Sequence, residues 1–195
     1  SGNWRCGFRR STGLQAITAV ALGTVVLLAQ AGDAGAAIAL VKNVATGGNT
    51  TTSTATAISV PAGGVAAGNT LIVSFAMDPT TGTVSCGDSR GNTYAKDVDV
   101  ANGTVLAGVR TVVCSAPVTV ALLAGDLVTV THPAAAAKAI SVTEFSGVGA
   151  FDKTNSATGT NTTPSSAFTV LTSQADELVI GAIGVETDST EAFSP

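Results

Sequence analysis

The chain has 195 residues, a formal charge of −4, 45% hydrophobic residues and only 11% charged ones. That apolar content excludes disorder driven by charge excess, and the length suits one domain plus a targeting segment. Beyond Ala36 six basic residues face twelve acidic ones, a surplus that repels phosphate backbones and anionic membranes and excludes nucleic acid as a partner.

Arg5, Arg9 and Arg10 precede an uncharged stretch from Ser11 to Gly32 that carries Leu14, Ile17, Val20, Leu22 and the run Val25 to Leu28. Asp33 and the small residues Ala34-Gly35-Ala36-Ala37 follow. A positive start, an apolar helical middle and an A-x-A site make a secretory signal, so residues 1–36 are predicted to be a helical signal peptide cleaved after Ala36 or Ala37. The competing reading is an uncleaved anchor, since the apolar run is near the lower length for a spanning helix. Dilution by Gly, Thr and Gln, and the processing site, weigh against it. The paired Arg9 and Arg10 fit export of folded protein, although Ser11 and Thr12 follow where that signal usually has more bulk. Residues 37–195 are then a secreted or cell-surface domain with no membrane contact after cleavage. Starting at Ser1 and stopping at Pro195 after an apolar strand, the sequence reads as a fragment, with the domain truncated at its C-terminus and other domains of the same longer chain beyond.

From Ile38 onward short apolar runs alternate with Gly, Asn, Asp, Pro and Thr clusters. Ten strands are predicted: Ile38 to Ala45, Ser53 to Val60, Thr70 to Met77, Thr83 to Cys86, Thr93 to Val100, Val105 to Ser115, Leu127 to Thr131, Lys138 to Phe145, Ala167 to Leu171 and Leu178 to Val185. Such spacing predicts an all-β, antiparallel sandwich of jelly-roll or immunoglobulin-like type. The alanines of Pro133 to Ala139 suggest a turn or a single helical turn. Three segments, Ala67 to Val73, Ala124 to Val130 and Ala175 to Ile180, repeat one device, a small or acidic turn feeding a strand that begins with Leu. Leu71 to Met77 and Leu178 to Val185 are apolar on both faces and are predicted to be central, whereas Thr129 and Thr131 alternate with Val128 and Val130 as in a half-exposed strand. Phe75, Phe145, Phe151 and Phe168 are the predicted large core residues.

Cys6 leaves with the signal, so Cys86 and Cys114 remain as an even pair in an exported chain, which favours a disulfide. Val84 with Cys86, and Val112 with Cys114, share strand faces, and the sulfurs meet if the two strands are neighbours. The alternative is two buried thiols packing as small apolar groups. Absence of C-x-x-C spacing argues against redox catalysis.

Thr83-Val84-Ser85-Cys86-Gly87-Asp88-Ser89-Arg90-Gly91-Asn92-Thr93-Tyr94 resembles the V-x-D-S-x-G-N-T-Y/W hairpin of a broad family of secreted bacterial β-sandwich modules of uncertain function. Leu71-Ile72-Val73, Cys114-Ser115-Ala116-Pro117, Val142 to Val148 and Glu177 to Gly181 extend the likeness over most of Pro61 to Val185, and the cysteines depart from it. The resemblance implies a jelly-roll or immunoglobulin-like sandwich of surface-exposed, multidomain exported proteins, and no established active site.

Asp88, Gly91 and Asn92 form the most distinctive segment. Clustered oxygens there suit calcium, but one charge fits better a hairpin turn in which Asp88 and Asn92 bond the backbone and Gly91 takes a positive φ. His132 is the sole histidine, and with neither a G-x-S-x-G elbow nor a ligand set it reads as a loop residue. Glu144 lacks a second placed acid for glycosidase chemistry; it is predicted to face solvent or to bond a neighbouring strand or Lys138. Asp97 and Asp99 beside Lys96 read as a solvated face, and Asp176 with Glu177 as turn residues. Asn49, Asn102 and Asn161 begin glycosylation sequons that a Thr-rich chain meets by chance. No catalytic residue, cofactor site or metal site is predicted. A non-catalytic structural or adhesive module with an extracellular protein or glycan as partner is the expected function, and a carbohydrate-binding module of a secreted glycan-active enzyme is the alternative, disfavoured because Tyr94 stands nearly alone as a stacking platform.

Overall fold

The computed structural model describes residues 37–104, 107–160, 165–166, 171–174 and 176–186. The signal segment and Ala36 lie outside them, as do Phe168 and most of the strand expected at Ala167 to Leu171. Ala37 is the first described residue and is exposed.

The described chain is all-β and contains no helix, with β1 (Ala39–Asn49), β2 (Ser53–Ser59), β3 (Thr70–Met77), β4 (Ser85–Asp88), β5 (Ala95–Thr104), β6 (Ala107–Pro117), β7 (Leu127–Ala135) and β8 (Lys138–Ser146). They form two antiparallel sheets that do not close into a barrel, one ordered β1-β8-β3-β6-β5 and one ordered β2-β7-β4. Alternation builds the layer between them. Leu71, Val73, Phe75 and Met77 of β3, with Val112 and Cys114 of β6, pack in one buried cluster with Ile58 of β2 and Val128 and Val130 of β7. β3 lies between β8 and β6, and its other face is covered too, where Ile72 meets Val113 and Phe145. Its two-faced apolar sequence therefore occupies the most enclosed position.

The sulfurs of Cys86 and Cys114 are at disulfide-bonding distance, with Cα atoms 6.5 Å apart. Their strands are not neighbours: β4 lies in the small sheet and β6 in the large one. The pair crosses the layer between the sheets, which is why both cysteines share faces with core valines.

Several predicted elements change. β7 runs on through His132 and Pro133 to Ala135, because Ser53 pairs with Ala135 while Ala55 pairs with Thr131, leaving extra residues of β7 in a bulge. A proline without an N–H is tolerated in such an interruption. Ala136 and Ala137 then form a two-residue corner in place of a helical turn. Leu178 to Val185 contains no strand and is not central, with Val179 and Ile183 exposed. Only Leu178 and Ala182 pack, against the outer cluster of Ile72, Val113 and Phe145, because β8 and β6 already flank β3 on both sides. Phe75 and Phe145 are buried, but Phe151 is 55% exposed, lying past the last strand.

Reduction should be costly. Opening a link that closes a 28-residue separation is expected to remove about 3.5 kcal/mol on the chain-entropy account. Urea melts of Cys86→Ser and of wild type with and without reductant test this, and coincident curves would show that the cysteines carry no cross-link.

Candidate functional site

Of the polar side chains singled out by the sequence, Asp88 and Asn92 lie at a turn, whereas Asp97, Asp99, His132 and Glu144 lie within strands. Asp88 ends β4, and its Oδ1 accepts from the backbone N–H groups of Arg90 at 2.8 Å and Asn92 at 3.2 Å. Its Oδ2 accepts from Asn92 Nδ2 at 2.9 Å and the Tyr94 hydroxyl at 3.0 Å. Gly91 turns the chain with φ 77°, a conformation that side chains other than glycine's resist. Both carboxylate oxygens are thus occupied by two donors each, the arrangement of a structural turn and not of a cation loop.

Asn92 carries the turn to a second loop. It is buried, and its Oδ1 accepts from Thr119 N and Val120 N, both at 2.9 Å, and from the Thr119 hydroxyl at 3.0 Å, while Nδ2 donates to Val120 O at 2.9 Å. A third contact closes the cluster: Arg90 Nε donates to Asp126 Oδ2 at 2.6 Å, and the same oxygen accepts from Leu123 N at 2.6 Å. Those bonds, the Arg90 guanidinium first, hold the Asp126 carboxyl below its ordinary value. Burial, and then the Asp88 charge, push the Tyr94 phenol above its own.

Glu144 neither faces solvent nor meets Lys138. It lies inward on β8 with Ile140 and Val142 and is 1% exposed. Oε1 accepts from Ala66 N at 3.0 Å and Asn69 Nδ2 at 2.6 Å, and Oε2 is 3.4 Å from Lys42 Nζ. Lys42 in turn donates to Gly64 O. Gly64 is at φ 60°, and a Cβ there would stand 2.3 Å from Leu122 O, so glycine is required where this loop presses on its neighbour. A carboxylate enclosed by one backbone N–H, one side-chain amide and one ammonium holds a loop in place.

His132 is also inside. Its Nε2 is 3.0 Å from Thr56 Oγ1, its Nδ1 is 2.7 Å from Pro133 O, and its ring centroid is 5.2 Å from that of Phe75. Nδ1 carries the proton it gives to the carbonyl, and Nε2 pairs with the threonine hydroxyl. It is a core histidine bridging β7 and β2, not a loop residue.

Three further side chains, Arg110, Asp78 and Lys138, hold loops and corners. Arg110 donates from Nε to Asp99 Oδ1 at 2.7 Å, from Nη2 to Asp99 Oδ2 at 2.8 Å, and from Nη1 to Thr80 O at 2.9 Å and Gly82 O at 2.8 Å. Asp99, which Lys96 also contacts at 2.6 Å, therefore anchors a loop instead of lying on a merely solvated face, and the Arg110 bond lowers its pKa. Asp97, by contrast, is raised by partial burial. Asp78 Oδ2 caps the β7–β8 corner by accepting from Ala136 N at 2.9 Å and Ala137 N at 3.0 Å. Lys138 Nζ is buried there, its three N–H groups shared among Asn49 Oδ1, Thr51 O, Ala135 O and Ala136 O, all within hydrogen-bond distance. An arginine interrupting the apolar run Val109-Arg110-Thr111-Val112 was the available sequence signal for the first of these.

Among the described residues no three His, Cys, Asp or Glu side chains are grouped to hold a metal ion.

Two outcomes follow from this geometry. Glu144→Ala strands Lys42, Ala66 N and Asn69 and is expected to cost about 3 kcal/mol, whereas Glu144→Gln keeps an acceptor and costs less; equal, small losses in denaturant melts would refute the anchoring role. Tyr94 is the sole tyrosine, so phenolate absorbance reports on it alone. Its folded pKa lies above the unfolded value of about 10, so its contribution to stability is complete below that pH and is lost as pH rises through the folded value. An alkaline titration should show no phenolate until the protein unfolds, and normal ionisation in the native state would contradict the burial.

The chain matches no protein-family model, no curated protein and no solved structure.

Proposed function

We propose that this chain is an exported, non-catalytic structural or adhesive module of a secreted or surface-attached bacterial protein, built as a jelly-roll sandwich. The observation that carries the reading is where the polar chemistry goes. Asp78, Asp88, Asn92, Asp99, Arg110, Lys138 and Glu144 direct their bonds into the protein's own backbone and one another, leaving no assembled nucleophile, base and orienting acid among the described residues.

The pairing supports the jelly-roll form over the immunoglobulin-like one. β1 pairs with β8, β2 with β7 and β3 with β6, the pattern made by rolling one long hairpin onto itself. β5 departs from it by joining β6 in the large sheet. Export is supported by the signal-like residues 1–36 and by a cysteine pair of the kind that persists in oxidising compartments. An extracellular protein or glycan is the proposed partner.

The purified mature protein is expected to cleave no ester, peptide or glycoside and to bind no polysaccharide on a glycan array, while adhering to cells or to an extracellular protein. Saturable binding of a polysaccharide would instead assign it as a carbohydrate-binding module, and turnover of any of those substrates would end the non-catalytic reading.

A further inference from the structure

We infer that residues 153–186 are not part of the sandwich formed by β1–β8 but carry the first three strands of a second copy of it, so that the chain belongs to a tandem array. The inference deepens the structural-module reading but stands on different observations, and either can fail alone.

The first observation is an internal repeat. Ala45-Thr46-Gly47-Gly48-Asn49-Thr50-Thr51 recurs as Ala157-Thr158-Gly159-Thr160-Asn161-Thr162-Thr163, and positions 43–55 and 155–167 are identical at nine of thirteen places. Further on, Asn69-Thr70-Leu71-Ile72-Val73 corresponds to Asp176-Glu177-Leu178-Val179-Ile180. The offset is 112 residues for the first block and 107 for the second. The shortening falls between the equivalents of β2 and β3, where the first copy has the loop Pro61 to Asn69, and loops absorb length changes at small cost. The repeat therefore runs in the order of β1, β2 and β3.

The second observation is that the first sandwich has no place for it. The place in question is beside β8 and β6, and it is already taken by β3, the counterpart of Leu178 to Val185. A strand apolar on both faces needs two such neighbours and a cover on each side. Leu178 to Val185 has no strand neighbour and is covered on one side only, where Leu178 and Ala182 meet Ile72, Val113 and Phe145: Val179 is 82% and Ile183 58% exposed, and Glu177 Oε1 is enclosed with no hydrogen-bond partner.

The third is the quality of the contact it does make. The described residues between Gly147 and Glu186 border an open cleft of 2310 Å³ against the outer face of the large sheet, unlike the close packing of an interior. β-type sequence resting loosely on a finished sandwich is what an incomplete second unit looks like.

Three tests decide the matter. In hydrogen exchange of the 195-residue protein, β1–β8 should be protected and Leu178 to Val185 should exchange freely. Ile180→Asp should leave Tm within about 2 °C of wild type, while Val73→Asp, its counterpart in β3, should unfold the protein. Protection of Leu178 to Val185, or a fall in Tm from Ile180→Asp like that from Val73→Asp, would make the segment part of the first sandwich and overturn the inference. Reading the coding sequence onward separates a second unit from a mere tail: an equivalent of Thr143-Glu144-Phe145 should recur roughly 107 residues after the first, a spacing set by the repeat. A reading frame that ends or continues without it would equally refute the array.

Discussion

The chain passes from one sheet to the other at six of the seven connections between its strands, and only the β5–β6 hairpin stays within a sheet. Each crossing carries backbone N–H and C=O groups over the end of an apolar layer, away from any ladder that could pair them. Buried groups of that kind need partners. The constraint accounts for the charged residues inside this protein, while buried His132 and Thr56 bridge two strands of one sheet.

Each charged side chain in the interior answers to a crossing. Glu144 with Lys42 and Asn69 holds the β2–β3 loop, Arg110 with Asp99 the β3–β4 loop, and Asp88 with Asn92 ties the β4–β5 turn to the β6–β7 loop. Asp78 and Lys138 close the β7–β8 corner, and Lys138 also reaches Thr51 and Asn49 between β1 and β2. Arginine suits its position because its fixed fork grips a carboxylate on one side and carbonyls on the other. Between the sheets, the link from Cys86 to Cys114 adds a covalent tie where β4 and β6 face each other.

With these charges committed to the fold, the loops and sheet faces are what the described residues leave exposed. The exposed Leu40 and Val41 on the edge strand β1, and Val120 and Leu123 in the β6–β7 loop, are small apolar features of the sort that module-to-module contacts use. In a tandem array such surfaces recur at a fixed period, and length and rigidity become properties of the assembly.

The sequence by itself determined the all-β class, the strands at Ser53 and Thr70, the central place of β3 and the alternation of Val128 and Val130 with Thr129 and Thr131, because period-two patterning and turn residues are local signals. It also singled out Cys86 and Cys114, Asp88 and Asn92. Only the tertiary structure decided that the cysteines meet across the layer and not between paired strands, that Glu144 and His132 lie inside, that Arg110 grips Asp99, and that Leu178 to Val185 forms no strand. Each of these depends on which segments face each other at sequence separations of tens of residues. A carboxylate or an imidazole carries no local mark of the loop it will meet, and a strand-type sequence becomes a strand only where neighbours are free to pair with it.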